Sequence, residues 1–191
     1  MKIRDAEENY GLISVLLHWL VAAIIVTTLA VAIYADGLAR DAGRSLRFLH
    51  MSLGLLLTPL VTARIIWRLT QGKPATKHHN ALEGVLANVV WRALLLSPIA
   101  LLVTGPFLAW LHERPIAFFE LFQISSPVAP NHALRENIIF PIHAFFGYLM
   151  IIGITLHITG ALKHLFIYRD GVADRMLRPF KHHASGNQPE K

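Results

Sequence analysis

The chain has 191 residues, 54% of them hydrophobic and only 16% charged, and a soluble domain of this size has no core large enough to hide that balance. A net charge of +6 would suit a nucleic-acid partner, but the basic residues sit at the ends of apolar runs rather than in one patch, which argues against that class. With no cysteine at all, disulfides, thiolate metal sites and covalent cofactor attachment through a C-x-x-C-H sequence are excluded as well.

In chain order, the opening "MKIRDAEENY" mixes both charge signs and leads into "LISVLLHWLVAAIIVTTLAVAIY" (12–34). That run is far longer than a signal h-region and has no small-residue cleavage site behind a short core, so it reads as a retained membrane span. "ADGLARDAGRSLR" is a short loop before a second span, "FLHMSLGLLLTPLVTARIIW" (48–67). The loop "TQGKPATKHHNALEGV" carries a Gly-Lys-Pro turn signal, and a third span follows, "VVWRALLLSPIALLVTGPFLAWL" (89–111). The next connection is long for a bundle; its "IAFFELF" core is expected to lie as a short helix at the membrane surface, or as a re-entrant turn. The fourth span is "IIFPIHAFFGYLMIIGITLHITGALKHLFIY" (138–168). The reading is an all-α integral membrane four-helix bundle, one transmembrane domain over residues 1–180, with a polar disordered tail over 181–191.

Charge sets the orientation. Lys2 and Arg4, then Arg68, Lys73 and Lys77, then Lys163, Arg169, Arg175, Arg178, Lys181 and Lys191 fall on one side; Arg40, Arg44, Arg47, Arg114 and Arg135 fall on the other. The more basic side belongs in the cytoplasm, which places both termini there. Trp67 and Trp91 then flank the inner interface and Trp110 the outer one, where amphipathic rings sit.

Of eleven histidines, six lie in polar connections or the tail: His78, His79, His112, His132, His182 and His183. Five lie in or at the spans, where an ionisable group is costly and marks a function. His18 and His157 are each about 9 Å in from the inner end of their spans, while His50 and His143 sit near the outer ends. His143 and His157 are fourteen residues apart, hence about 21 Å along one helix and within roughly 40° around it. Two pairs result, His18 with His157 on the inner side and His50 with His143 on the outer.

Each of these four has a very small residue four positions later on the same helix face: Ala22, Gly54, Gly147 and Ala161. The fifth, His164, has Tyr168 there and reads as interfacial. A flat macrocycle standing against a helix needs a place where side chains end at the backbone, and Gly or Ala one turn from a ligand supplies it. Gly153 and Gly160 add room beside His157. Bis-imidazole ligation of haem iron accounts for both the cost and the pairing. Without cysteine the haems are noncovalent, so two b-type haems are expected in the bundle core; with both axial positions filled, electron transfer is favoured over oxygen chemistry. Arg47, one turn outward of His50, is expected to meet propionates of the outer haem. Arg64, fourteen residues after His50, is expected to meet an inner-haem propionate or a quinone oxygen, with snorkelling to the interface as the alternative.

The motifs "LLHWL", "RFLHMSLGLLL" with "ARIIWR", and "PIHAFFGYLMIIGITLHITGALKH", in this order and depth, resemble the prokaryotic cytochrome b561 family from Tyr10 to Pro179. The resemblance implies a bacterial inner-membrane protein with His18 and His157 on one haem and His50 and His143 on the other. It also implies electron transfer between a periplasmic donor and membrane ubiquinone, since the family includes a superoxide:ubiquinone oxidoreductase. Arg40, Arg44 and Arg47 would attract a small anion on that side, partly offset by Asp36 and Asp41. The partners expected are the lipid bilayer, a quinone and a small periplasmic donor, with a homodimer or a partner redox protein left open. The alternative is a cytochrome b anchor subunit passing on electrons from a partner dehydrogenase or hydrogenase. A proton relay or transporter fits less well, because the middle of the bundle is apolar between the two histidine levels.

Overall fold

The computed structural model describes residues 3–6, 9–71 and 79–177. Four helices are long and apolar enough to cross a membrane: α1 (Leu12–Asp36), α2 (Arg44–Thr70), α3 (Ala81–Trp110) and a continuous fourth over His132–Tyr168. The fourth comprises a short α4 (His132–Leu134), a π-helical turn (Arg135–Ile139), α5 (Phe140–Lys163) and a second π-helical turn (His164–Tyr168). Pro141 lies in the first turn of α5; its missing N–H and its ring disturb the preceding turn, which accounts for the widened segment ahead of it. At about 1.5 Å per residue this helix outruns a 30 Å hydrocarbon layer on both sides.

The helices begin and end beyond the apolar runs because caps, not hydropathy, set their limits. α3 starts at Ala81, eight residues before the apolar stretch: the Asn80 side chain accepts from the Glu83 N–H at 2.8 Å, and the Glu83 carboxylate accepts from the His79 N–H at 3.2 Å. Both close otherwise open amides at the helix start. A last short helix, α6 (Asp174–Leu177), returns to the same end of the molecule, where the Trp19 indole donates to the Met176 carbonyl at 3.1 Å. The amino-terminal segment is there too, with Asp5 N–H donating to Gln71 Oε1 at 3.2 Å.

The long connection after α3 is neither a surface helix nor a re-entrant turn. Ile116–Phe118 (β1) and Phe122–Ile124 (β2) form an antiparallel hairpin, pairing Ile116 with Ile124 and Phe118 with Phe122. A run of β-branched and aromatic residues suits a pleated surface, and β1 is anchored on α2. The Ser52 hydroxyl, fully buried, donates to the Ala117 carbonyl at 3.1 Å and accepts from the Phe119 N–H at 2.8 Å.

Packing is organised as two helix pairs, α1 along α2 and α3 along α5, with far less contact between the pairs. The α1/α2 side closes on Val21, Leu57 and Val61. On the α3/α5 side Gly153 lets the helices approach: a Cβ there would meet Leu94 Cδ2 at 3.1 Å. Gly153 is thus a packing residue, not the extra room beside His157 expected from the sequence. Large apolar side chains such as Leu16, Val26, Val103 and Ile152 remain exposed, as expected of helices whose solvent is lipid.

Candidate haem-binding site

The loosely packed seam between the two helix pairs carries the histidines. His18 on α1 faces His157 on α5 with ring centres 6.1 Å apart, and His50 on α2 faces His143 on α5 at 6.4 Å. An imidazole bonded to a metal at about 2.0 Å holds its ring centre a little over 3 Å from that metal, so two imidazoles on opposite sides of one ion stand roughly 6.4 Å apart. Both pairs have that separation, and both bridge the seam. Because His143 and His157 share one unbroken α-helix, the two levels are about 21 Å apart along it.

Space for a flat group is present beside the rings. A Cβ built on Gly54, one turn from His50, or on Gly147, one turn from His143, would meet nothing within 4 Å; the same is true of Gly160, three residues past His157. These open positions, next to imidazoles with metal-compatible separations, fit a porphyrin edge.

The hydrogen bonds behind the outer rings settle which nitrogen is available. His50 Nδ1 lies 3.0 Å from the Thr28 carbonyl, which only accepts, so Nδ1 carries the proton and the lone pair is on Nε2. His143 Nδ1 lies 2.8 Å from Thr104 Oγ1, and that hydroxyl is 2.7 Å from the Ala100 carbonyl. Donation from Thr104 to Ala100 leaves Oγ1 to accept from His143 Nδ1–H, which satisfies every polar atom and again frees Nε2. Thr28, Thr104 and Gly105, whose Cβ would stand 3.5 Å from the His143 ring, were invisible to the sequence reading. α3 contributes no histidine to the pairs, so nothing in its sequence drew attention to the Thr104-Gly105 step. Thr104→Val should keep the shape and remove the acceptor; haem affinity at the outer site is then expected to fall about 10- to 100-fold, read by haem titration of the purified protein.

The inner level differs. Arg64 places one guanidinium nitrogen 2.8 Å from His18 Nδ1 and another 3.4 Å from the His18 carbonyl. A guanidinium only donates, so His18 Nδ1 accepts and its proton sits on Nε2. Metal ligation through Nε2 requires that proton to move to Nδ1 and Arg64 to turn its donor elsewhere. Arg47, expected near a propionate, donates to the Ala35 carbonyl at 2.9 Å and also to the Arg40 carbonyl. In this arrangement it holds the loop between α1 and α2. Arg44 pairs with Asp41 at 2.8 Å, both highly exposed.

Outside the spans one further group of polar side chains is gathered at the amino-terminal end of α3. Burial alone would raise the Asp170 carboxyl, but hydrogen bonds from His79 and His164 and from the Val172 N–H outweigh it and bring it down to about 2. The carboxylate is ionised throughout the physiological range. His78, His182, His183 and the 181–191 tail lie outside the described residues.

Comparison with known proteins agrees with this geometry. Residues 9–179 match the family model described as prokaryotic cytochrome b561. A curated relative, cytochrome b561 homolog 2 of Escherichia coli (strain K12), is 27% identical over 184 residues, covering 93% of this chain and 95% of the relative. Members of this family transfer electrons across membranes through b-type haem, and the chain belongs to the prokaryotic cytochrome b561 family.

Proposed function

We propose that this chain is a quinone-linked oxidoreductase of the bacterial inner membrane. In this reading it carries two b-type haems, one between His18 and His157 and one between His50 and His143, and moves electrons inward from a small periplasmic donor, superoxide among the candidates, to ubiquinone. The observation that supports it most is the pair of imidazole separations, 6.1 and 6.4 Å, on opposite sides of one loosely packed seam. Bound there, haem supplies one-electron exchange at iron whose axial positions are both imidazole.

The chain's own residues do the rest. Thr28 and Thr104 hold the outer rings with their lone pairs toward the seam. Gly54 and Gly147 keep side chains out of the space beside them. Arg64, the cation at the inner level, is positioned to turn from His18 to a propionate or a quinone oxygen. The excess of Lys and Arg at the end shared by the two termini supports placing that end in the cytoplasm. Steering of an anionic donor by the outer arginines is modest, because Arg44 is paired with Asp41 and Arg47 is committed to loop carbonyls.

The test is reconstitution in liposomes containing ubiquinone, with superoxide generated on the outer side. Two superoxide ions, each oxidised to oxygen, supply the two electrons that with two protons make one ubiquinol. Ubiquinol formation dependent on the protein supports the reading. Reduction only after adding a partner dehydrogenase would replace it with the anchor-subunit alternative.

A further inference from the structure

We propose that His79, His164 and Asp170 form a binding site for a divalent d-block cation of the zinc class, separate from the haem ligands. Two histidine nitrogens already converge on one carboxylate oxygen: His79 Nε2 at 3.0 Å and His164 Nδ1 at 2.8 Å from Asp170 Oδ2. The three ligand atoms lie within 4.8 Å of one another. Tetrahedral zinc bonded at about 2.0 to 2.1 Å wants ligand atoms roughly 3.3 Å apart, so the cluster needs only a small adjustment. Two imidazoles and one carboxylate are a donor set that suits zinc, with a fourth position left for water.

The supporting contacts are those of a site rather than a chance meeting of surface groups. Asp170 accepts from the Val172 N–H at 3.1 Å through Oδ1, which aims Oδ2 at the histidines. The π-helical turn His164–Tyr168 followed by a left-handed Arg169 (φ 50°) folds the chain back so that Asp170 reaches His164. The Tyr168 ring packs on His79 with ring centres 3.8 Å apart. The nearest cation, Lys163, is neutralised by Glu83, which also accepts from the Tyr168 hydroxyl. In the protein without metal, both histidine N–H groups point at the carboxylate; a cation takes the place of those two protons and releases or relocates them. His164 is seven residues beyond His157, about 10 Å further along the helix axis, so the cluster shares no ligand with the haem pairs. A metal here would tie the start of α3 to the end of the fourth span.

The test uses the haem-loaded, untagged protein in detergent and zinc ion itself, with stoichiometry from equilibrium dialysis and ligand identity from X-ray absorption at the zinc edge. One zinc per chain with imidazole and oxygen neighbours is expected. Asp170→Asn and His164→Ala should each weaken binding at least about tenfold while the haem spectrum stays unchanged, and the double variant His182→Ala/His183→Ala should bind as the parent does. Zinc held equally by Asp170→Asn, zinc lost from the tail variant, or no binding at micromolar zinc would overturn the assignment. Asp170→Asn is isosteric, and its unchanged haem spectrum separates a lost ligand from a lost fold.

Discussion

Replacing His157 by alanine is expected to lower the haem content from about two per chain to about one, with the surviving haem at the outer level. His157 is the imidazole that faces His18 across the seam; without it the inner position has one ring, and that ring is already engaged by Arg64. The outer pair should not notice. His50 and His143 are backed by Thr28 and Thr104, and no hydrogen-bond partner is shared with the inner level. His143→Ala should do the reverse and spare the inner haem. Either change should abolish ubiquinone reduction by an outer donor. Haem counts by the pyridine haemochrome method, with reduced-minus-oxidised spectra of both variants, decide it; loss of both haems from one change would show that the levels are not independent.

Gly147→Leu, and separately Gly54→Leu, should expel the outer haem without touching a ligand. The usual objection to a bulky residue in place of glycine is that it disrupts the fold, but a Cβ at either position meets nothing within 4 Å. Leucine also favours a helix over glycine by about 0.5 to 1 kcal/mol, so helicity and thermal stability should hold or rise while outer haem is lost. Gly153→Leu is the contrast: its side chain would run into Leu94, and overpacking of this kind costs about 1 to 3 kcal/mol. Circular dichroism beside haem content separates the two outcomes. Full outer occupancy in Gly147→Leu would refute a steric role for the open space.

The four helices were legible because lipid as a solvent demands long apolar runs, and nothing else in the chain competes with that signal. The grouping of His18 with His157 and His50 with His143 was legible for a related reason: depth along a span is counted directly in residues. What lay beyond one-dimensional counting was missed. The Thr28 and Thr104 contacts depend on which helices adjoin, and "IAFFELF" became a hairpin because Ser52 on α2 offers a hydroxyl that bonds both a carbonyl and an N–H of that segment. Arg47 shows the limit most clearly. Its position one turn outward of His50 is correct by spacing, yet its guanidinium bonds loop carbonyls, since a flexible charged side chain is drawn to whichever acceptors lie nearest. His79 and His164 look ordinary apart in the sequence; only the chain reversal at Arg169 brings them to one carboxylate.

The central claim is that the seam between the helix pairs holds iron at two levels, each between two imidazoles. Electron paramagnetic resonance of the oxidised, purified protein, calibrated against its haem content, tests this most directly. The account predicts two low-spin ferric signals per chain, one lost in His157→Ala and the other in His143→Ala. A single signal, a high-spin centre in the parent protein, or preparations without haem from cells well supplied with it would contradict it.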